Sequence, residues 1–461
     1  MTKRSPRDLR RVLGRRYRPK VGRFGQIFRR RLATTLGAVT LGLVALLFAW
    51  NGDVAQRAFL GLLRRAPYAG WIVTPLGFAV TVWLTRRYAP EARGSGIPQV
   101  IEAARRPMDS SHKRLTSLRT AIWKYGLTLI MLLVGGSVGR EGPTVQISAA
   151  IMRATHRAFR IELSSAVLIA GGAAGVSAAF NTPLAGVAFA IEELASAYEQ
   201  RLALLALAAV MISGLVSLGI AGDYIYFGAM HSVVSMRSAI VICPVAGVLG
   251  GALGGLFSRA MLGFGAWSWA PFVWARRRAV IWAAICGLIV AAIGYASGGL
   301  TWGTGYATAK LIIEGDAGPD WYGPAKIATT LLTAVSGAPG GIFAPSLSAG
   351  AGLGSLIARL FPSEPLGAVA ILGMIGYFVG VVRSPLTAVL IVSEMTDSRA
   401  MLIPLVATAL VADGVSALVC RERLYHGLSK AFRPAAEARA SEEAAAAEMF
   451  STEPRSGAQP R

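Results

Sequence analysis

One acidic residue, Glu141, lies within the sequence Gly139-Arg140-Glu141-Gly142-Pro143, directly after the apolar stretch from Tyr125 to Gly139. Pro143 suits the first turn of a helix, where the N–H group that proline lacks is not needed. The free N–H groups and the positive dipole end of such a helix attract anions. Glu141 can occupy that position itself and leave it when it is protonated or displaced. The pattern indicates an anion gate, and a structural Arg140–Glu141 ion pair is the alternative.

The sequence repeats itself at a spacing of 202 residues, which superimposes Gly139 on Gly341 and Pro143 on Pro345. Proline, glycine, lysine and glutamate residues elsewhere match in the same register, as in Lys124 with Lys326, Pro183 with Pro385 and Glu192 with Glu394. Repeated halves in membrane proteins place the substrate site between them, near the midplane, on broken helices. In the second copy of the motif, Gly341 to Pro345, Phe343 replaces Glu141. We therefore expect one copy to gate and the other to bind.

Composition sets the class of protein and its domains. Of the 461 residues, 54% are apolar and 15% charged, with mean hydropathy +0.52, which is typical of a polytopic all-α membrane protein. Many of the apolar runs are broken by glycine and proline, which favours a transporter or channel. We divide the chain into a basic tail, two transmembrane repeats and an Ala/Glu-rich disordered tail: 1–31, 32–222, 223–433 and 434–461.

The net charge of +23 predicts how the chain lies in the membrane. Thirteen Lys and Arg residues face one acid in Met1–Arg31, and the segment Arg86–Arg119, two spans later, is again basic. Positive segments stay in the cytoplasm, so we expect both termini there. Anionic lipids and topology account for the charge, so no nucleic-acid partner is predicted. The scattered cysteines and histidines, and the lack of phosphate-loop or nucleophile motifs, predict no metal, no cofactor and no enzyme activity.

Three loops together resemble the signature loops of the CLC family of chloride channels and chloride/proton antiporters. They are Gly94-Ser95-Gly96-Ile97-Pro98, the Glu141 motif and Gly340 to Pro345, and the resemblance extends over most of Leu32–Phe432. It implies an inverted repeat of tilted and broken helices, and a homodimer with one pore per subunit. The absence of paired nucleotide-sensing domains and the short tail suggest a bacterial-type member in an inner (plasma) membrane.

The resemblance also implies the roles of individual residues. Chloride would bind centrally to the Ser95 hydroxyl, the N–H groups of Ile342 and Phe343, and the hydroxyl of Tyr425. An outer anion would bind N–H groups around Arg140, Glu141 and Gly142, with Glu141 as the external gating and proton glutamate. The match at Tyr425 departs from the family, which has proline at the position of Arg423.

Glu193 would be the internal proton glutamate, because the repeat leaves this acid unmatched and family antiporters carry glutamate there. A helix-end carboxylate facing cytoplasmic water is the alternative. Lys124 and Lys326 are candidates for buried cations that attract anions at long range, or else they pair with a nearby acid or extend to the interface. We thus expect a secondary active chloride/proton antiporter, and as the alternative a passive voltage- or pH-gated chloride channel. Its partners would be chloride, protons, the bilayer and a second copy of the chain.

Overall fold

The computed structural model describes residues 23–109, 112–194, 200–222, 227–228, 230 and 232–433, which form helices and connecting turns with no β-sheet. Residues 1–22 of the predicted basic tail and the whole predicted Ala/Glu-rich tail, 434–461, lie outside the described residues. Within them eighteen α-helices follow in order: α1 Arg23–Arg65, α2 Gly70–Tyr88, α3 Ile97–Arg105, α4 Leu118–Leu133, α5 Glu141–Ala158, α6 Ser165–Phe180, α7 Pro183–Phe189, α8 Gln200–Ala221, α9 Met236–Ala266, α10 Ala270–Arg277, α11 Ala279–Ala296, α12 Tyr306–Glu314, α13 Tyr322–Val335, α14 Phe343–Ala358, α15 Leu366–Val382, α16 Pro385–Thr396, α17 Leu402–Val419 and α18 Leu424–Ser429.

Helix length varies widely, as the glycine and proline breaks predict. In the described part of the chain, four helical segments are long and apolar enough to cross a bilayer unaided: Gly25–Arg65, Met236–Ala266, Ala279–Ala296 and Arg399–Val419. Several apolar helices are shorter, among them α6, α14 and α15. The apolar run Leu163–Ile191 is split because Asn181 adopts a left-handed conformation at φ 57° and Pro183 starts a new helix. Short helices of this kind end inside the protein, where their termini can form a site.

The two halves are related by an approximate two-fold axis. Gly139 and Gly341, which the 202-residue spacing makes equivalent, exchange two backbone hydrogen bonds of 2.7 and 2.8 Å in an antiparallel bridge. When two equivalent residues exchange the same pair of hydrogen bonds, the two-fold axis that relates them passes between them. The helices that follow correspond in order, α5 to α7 with α14 to α16. The repeat predicted from sequence is therefore an arrangement in space.

A second reciprocal contact lies at the starts of α7 and α16. Glu394 accepts hydrogen bonds from backbone N–H groups in the first turn of α7, and its equivalent, Glu192, accepts them from the first turn of α16, at 2.7 to 3.2 Å. A carboxylate at a helix N-terminus satisfies N–H groups that have no partner within the helix. Each half thus caps a helix of the other, which accounts for the match of Glu192 with Glu394 in the sequence.

Glycines allow helices of the second half to pack with their backbones close together. Helix α9 packs along α15 and α17. A Cβ atom placed on Gly254 would lie 2.4 Å from the carbonyl carbon of Gly380 and 2.6 Å from its Cα atom. Backbones this close require small residues, the usual basis of helix association in membranes. The glycines of α9 and α15 are therefore part of the packing.

This packing makes a stability prediction. We expect Gly254→Ala to destabilise the protein by about 1–3 kcal/mol, because the added methyl group meets rigid backbone on α15. The measurement is the midpoint of thermal unfolding in detergent. Gly265→Ala is the matched control, since Gly265 is exposed on the same helix and an added Cβ meets nothing within 4 Å. Equal midpoints for the two variants would contradict the close approach of α9 and α15.

Candidate functional site

Three glycine-rich loops meet at one point inside the described part of the chain. The Gly139–Gly341 bridge joins the loops that precede α5 and α14, and Gly340 N–H donates to the carbonyl of Gly94 at 3.0 Å. Gly96, at φ 115°, lies so close to α5 that a Cβ atom there would be 2.7 Å from the carbonyl oxygen of Gly142. The N-termini of α3, α5 and α14 are thereby brought together. The structure places the three sequence motifs side by side.

Glu141 is the first residue of α5 and is completely buried. Its Oε1 atom accepts a hydrogen bond of 2.8 Å from the hydroxyl of Tyr306, and the carboxylate interacts with the backbone N–H of Ala344 at the start of α14. Its Oε2 atom lies against Gly139, where a Cβ atom would be only 2.2 Å away. The carboxylate thus lies where the two helix N-termini meet, a position that would suit an anion.

Arg140 and Glu141 point to different partners. The Arg140 guanidinium donates to Asp53 at 2.8 Å and to the carbonyl of Ala49, both on α1. Asp53 is largely exposed, whereas Glu141 is fully buried. Arg140 thus forms an ion pair with Asp53, and its guanidinium also contributes positive potential near the Glu141 carboxylate.

Two buried hydroxyl groups face each other beside this carboxylate. Ser95 Oγ lies so close to α5 that a Cβ atom on Gly142 would be 2.2 Å from it, and it interacts with the hydroxyl of Tyr425. Neither hydroxyl makes a hydrogen bond of normal geometry, although both atoms are shielded from solvent. Buried hydroxyls are almost always paired, so two that converge without a partner indicate a place for a ligand. The ligand would have to accept hydrogen bonds from both.

Aromatic packing fixes the binding half of the site. The ring of Phe343 contacts the rings of four neighbours at centroid distances of 5.0 to 6.1 Å: Phe180, Phe189, Phe378 and Tyr425. The Phe343 side chain thereby holds the first turn of α14, whose N–H groups have no acceptor within the helix. The donors at Ile342 and Phe343 therefore belong to a rigid backbone.

The departure from the family at Arg423 does not disturb Tyr425. Arg423 precedes α18 with φ −66° and ψ 133°, dihedral angles that proline also adopts. Helix α18 then begins at Leu424, and the Tyr425 side chain is completely buried. Arginine in place of proline therefore preserves the entry of the chain into this helix.

Lys124 and Lys326 are fully buried, and their ammonium groups bind backbone carbonyls. Lys124 donates to the carbonyls of Ala92 and Gly94, and Lys326 donates to those of Thr301 and Gly303 at 2.8 and 2.7 Å. The alternatives of pairing with an acid or extending to the interface are wrong, because the lysines hold loops in the interior. The long-range attraction of anions that the sequence analysis considered for these two lysines stays a prediction.

The second lysine reveals a fourth loop that sequence analysis missed. Gly303-Thr304-Gly305-Tyr306 has two left-handed glycines, at φ 66° and 82°, and leads into α12 as the Ser95 loop leads into α3. The hydroxyl residue of this loop is Thr304. Its backbone nitrogen lies 3.3 Å from Gln56 Oε1, and its Oγ1 atom lies 3.4 Å from the same oxygen. The serine hydroxyl has no such partner. Tyr306, the first residue of α12, donates a hydrogen bond to Glu141, so this loop contributes to the surroundings of that carboxylate.

Glu193 is a further buried acid near Tyr425. It belongs to a turn of π-helix, Ala190–Leu194, and its carboxylate is completely buried, with Oε2 accepting from Ser384 Oγ at 2.6 Å. The alternative of a carboxylate facing water is therefore wrong. Tyr425 interacts electrostatically with both Glu193 and Glu141, so both acids lie near the two buried hydroxyls. Wide turns of this kind often occur at functional positions.

Comparison with known sequences identifies the family. The sequence model described as voltage gated chloride channel matches residues 77–417. The chain belongs to this family. Its curated relatives include proteins named H(+)/Cl(-) exchange transporter ClcA from Yersinia pestis, 32% identical over 431 residues, and from Klebsiella pneumoniae, 32% identical over 428 residues. In each case the match covers 86% of this chain and 86% of the relative.

Solved structures of the CLC family share the fold. A slow cyanobacterial Cl-/H+ antiporter is similar with a TM-score of 0.75 and 26% identity, over 87% of this chain and 97% of the other. A CLC-type fluoride/proton antiporter is similar with a TM-score of 0.73 over 86% of this chain and 97% of the other, but at 22% identity it supports the fold alone. The predicted all-α polytopic fold of the CLC type is confirmed, and the chain is an integral membrane protein.

The buried lysines make a testable prediction. Lys124→Met should lower the thermal stability in detergent, because the carbonyl of Ala92 loses its donor at about 1–3 kcal/mol for an unsatisfied group, and the carbonyl of Gly94 keeps only Gly340 N–H. Lys310→Met is the control, since Lys310 is half exposed and only pairs with Glu314 at 3.7 Å along its own helix. Unfolding midpoints that are equal for the two variants would show that the ammonium group does not hold the Ser95 loop.

Proposed function

We propose that this chain is a secondary active antiporter that moves chloride across the membrane in exchange for protons. The observation that carries the proposal is the pair of fully buried carboxylates, Glu141 and Glu193, which both interact electrostatically with Tyr425, one of two buried hydroxyls that lack a hydrogen bond of normal geometry. Buried acids within a membrane are costly and are commonly found in proton paths. The curated relatives with the printed name of H(+)/Cl(-) exchange transporter support the same activity.

Chloride binds at the centre of the site in this proposal. The hydroxyls of Ser95 and Tyr425 donate to it, together with the N–H groups of Ile342 and Phe343 at the start of α14. Dipoles and hydrogen-bond donors hold an anion without the full charge of a directly contacting lysine, so the anion can also leave. Lys124 and Lys326 contribute positive potential, but their donors are occupied by carbonyls.

Glu141 is the external gate and an acceptor of protons. Its carboxylate competes with chloride for the N-termini of α5 and α14, where the N–H groups of Arg140, Glu141 and Gly142 would hold an outer anion. Protonation makes the side chain neutral, so it gives up the position to chloride. One residue thereby links proton binding to anion movement.

Glu193 is the internal proton acceptor, separated from the external gate by the central site. Its role is distinct from that of the adjacent Glu192, which caps α16. A passive, voltage- or pH-gated chloride channel is the second candidate, and it too would use Glu141 as a gate. A channel has no need for a second buried carboxylate, so Glu193 favours the antiporter.

We place the protein in a bacterial inner membrane with both termini in the cytoplasm, on the basis of its basic segments and its bacterial relatives. The proposed repeats remain 32–222 and 223–433. Homodimer formation would cover exposed apolar side chains on α7, α16 and α17, such as Leu184, Leu386 and Ile403. A monomeric mass in detergent micelles would contradict the dimer.

Reconstitution into liposomes separates the candidate functions. We expect an imposed chloride gradient to drive protons uphill, because the two carboxylates tie proton movement to anion exchange. Chloride and proton fluxes are recorded together, with protein-free liposomes as the control. Chloride flux that leaves a proton gradient unchanged would favour the channel, and the absence of anion flux would overturn both candidates.

The two glutamates have separable effects. Glu141→Gln should abolish proton coupling and keep anion flux, because a neutral amide neither carries a proton nor competes as an anion. Glu193→Gln should also stop proton transport, while Glu141 continues to respond to external pH. Glu192→Gln is the matched control and should keep coupling, since its side chain caps a helix. Full proton transport in Glu193→Gln would exclude the internal role.

Tyr306 should tune the gate. Tyr306→Phe removes the hydrogen bond to the Glu141 carboxylate, which is worth about 1.5–3 kcal/mol for a charged acceptor. Chloride then displaces the carboxylate more easily, and we expect chloride affinity to rise by about ten- to a hundredfold in calorimetric titration. Tyr377→Phe is the control, because the buried Tyr377 hydroxyl has no hydrogen-bond partner. Unchanged affinity in Tyr306→Phe would show that this hydroxyl does not hold the gate closed.

A further inference from the structure

The carboxylate of Glu193 is closed to water but not fully paired. Its Oε2 atom accepts from Ser384, whereas Oε1 is buried and makes no hydrogen bond of normal geometry. Glu193 has no exposed surface at all. A proton acceptor in this position needs another group to exchange protons with water, because the acid cannot do so itself.

His426 lies between this atom and the surface. Its Nδ1 atom is 3.5 Å from Glu193 Oε1, slightly longer than a normal hydrogen bond, and is itself buried without a hydrogen-bond partner. The His426 side chain as a whole keeps 32% of its surface exposed. The imidazole therefore has one nitrogen directed to a buried acid, while another part of the ring is exposed at the surface of the protein.

The ring lies on the side of the protein that carries the basic loop between α2 and α4. Helix α18 packs on α3, and Arg93 of that loop donates to the carbonyl of Ala431. Glu141 is near the other side, since its neighbour Arg140 pairs with Asp53. Asp53 lies 22 residues along α1 from the basic end at Arg31, or about 33 Å at 1.5 Å per residue. His426 and Glu141 thus belong to opposite ends of the path.

Other charged groups around α18 have their own partners. On α3 and the chain after α18, Glu102 lies 3.5 Å from Arg105, 3.4 Å from His112 and 3.7 Å from Arg433. On neighbouring segments the contacts join Arg383 with Asp413, Lys430 with Glu422, Arg93 with the ring of Phe432, and Glu192 with the start of α16, and Arg259 of α9 is exposed. The buried acid nearest to His426 is Glu193.

We infer that His426 passes protons between water and Glu193, as the entry residue of the internal proton path. The N–H bond at Nδ1 breaks and an O–H bond forms at Oε1, so imidazolium becomes neutral imidazole and the carboxylate becomes a neutral acid. Rotation of the partly exposed ring then turns Nδ1 to water, from which it regains a proton. The reverse sequence releases a proton. Histidine suits the role because it changes charge near neutral pH.

The inference rests on the proposed role of Glu193 and adds a residue to it. Sequence analysis treated His426 as one of four dispersed histidines, because its distance of 233 residues from Glu193 hides the contact. A purely structural alternative is that the ring only packs over the acid. Proton transfer and packing are distinguishable, because a small base added to the solution can carry protons in place of the missing imidazole but cannot restore its packing.

The test uses the full chain in liposomes, with chloride and proton fluxes recorded together. His426→Gln should keep chloride flux and lower proton flux about tenfold or more, because an amide does not exchange protons at neutral pH. In His426→Ala, added imidazole should restore proton flux. Glu193→Gln measured with imidazole corrects for proton leak and should show no rescue.

His112→Gln is the matched control, since His112 Nε2 lies 3.4 Å from a different buried acid, Glu102, on the same side of the protein. It should keep the proton-to-chloride ratio. Unchanged coupling in both His426 variants, with coupling lost in Glu193→Gln, would overturn the role of His426 alone. Coupling that persists in Glu193→Gln would instead overturn the proposed function of that glutamate. Loss of both fluxes in the His426 variants, without rescue, would assign a structural role and also overturn the inference.

Discussion

The paired hydrogen bonds between Gly139 and Gly341 are the constraint on which the rest of the structure depends. A helix that ends inside a membrane exposes backbone N–H groups that lipid cannot satisfy. Here two such helices, α5 and α14, have their N-termini at the same place. The Gly139–Gly341 bridge satisfies one N–H group in each of the loops that precede them. The remaining donors converge on a small interior space. N–H groups that lipid cannot satisfy are thereby gathered where they would suit an anion.

The loops that precede α3 and α12 are each stabilised by a buried lysine, whose amino group binds backbone carbonyls of the loop. Lys124 and Lys326 bind carbonyls in the two loops that lead into α3 and α12, and the carbonyl of Gly94 is shared between Lys124 and Gly340 N–H. This arrangement satisfies carbonyls that no helix can satisfy. It also keeps both amino groups occupied, so neither lysine would trap an anion in the proposed site by direct contact.

The sequence predicts the fold and the central loops well because both follow from the repeat. Glycine and proline mark the helix ends, and one register of 202 residues relates the two halves. The register fails where the chain lengths differ: Lys124 follows Gly94 by 30 residues, but Lys326 follows Gly303 by 23. That shift hides the loop of Tyr306 and its bond to Glu141. The carbonyl partners of the lysines and the contact of His426 are equally invisible, because backbone acceptors and long-range contacts leave no pattern in a single sequence.

The differences between the two halves are as informative as their similarity. The scaffold is symmetrical at Gly139 and Gly341 and at the capping pair of Glu192 and Glu394. It is asymmetrical where side chains face the site: Phe343 stands for Glu141, and Met395 for Glu193. An anion path needs only backbone donors and hydroxyls, which a repeat can supply from either half. A proton path needs titratable groups, which a strict repeat would place in both halves, so the proposed exchange depends on the positions where the second half carries Phe343 and Met395 instead of an acid.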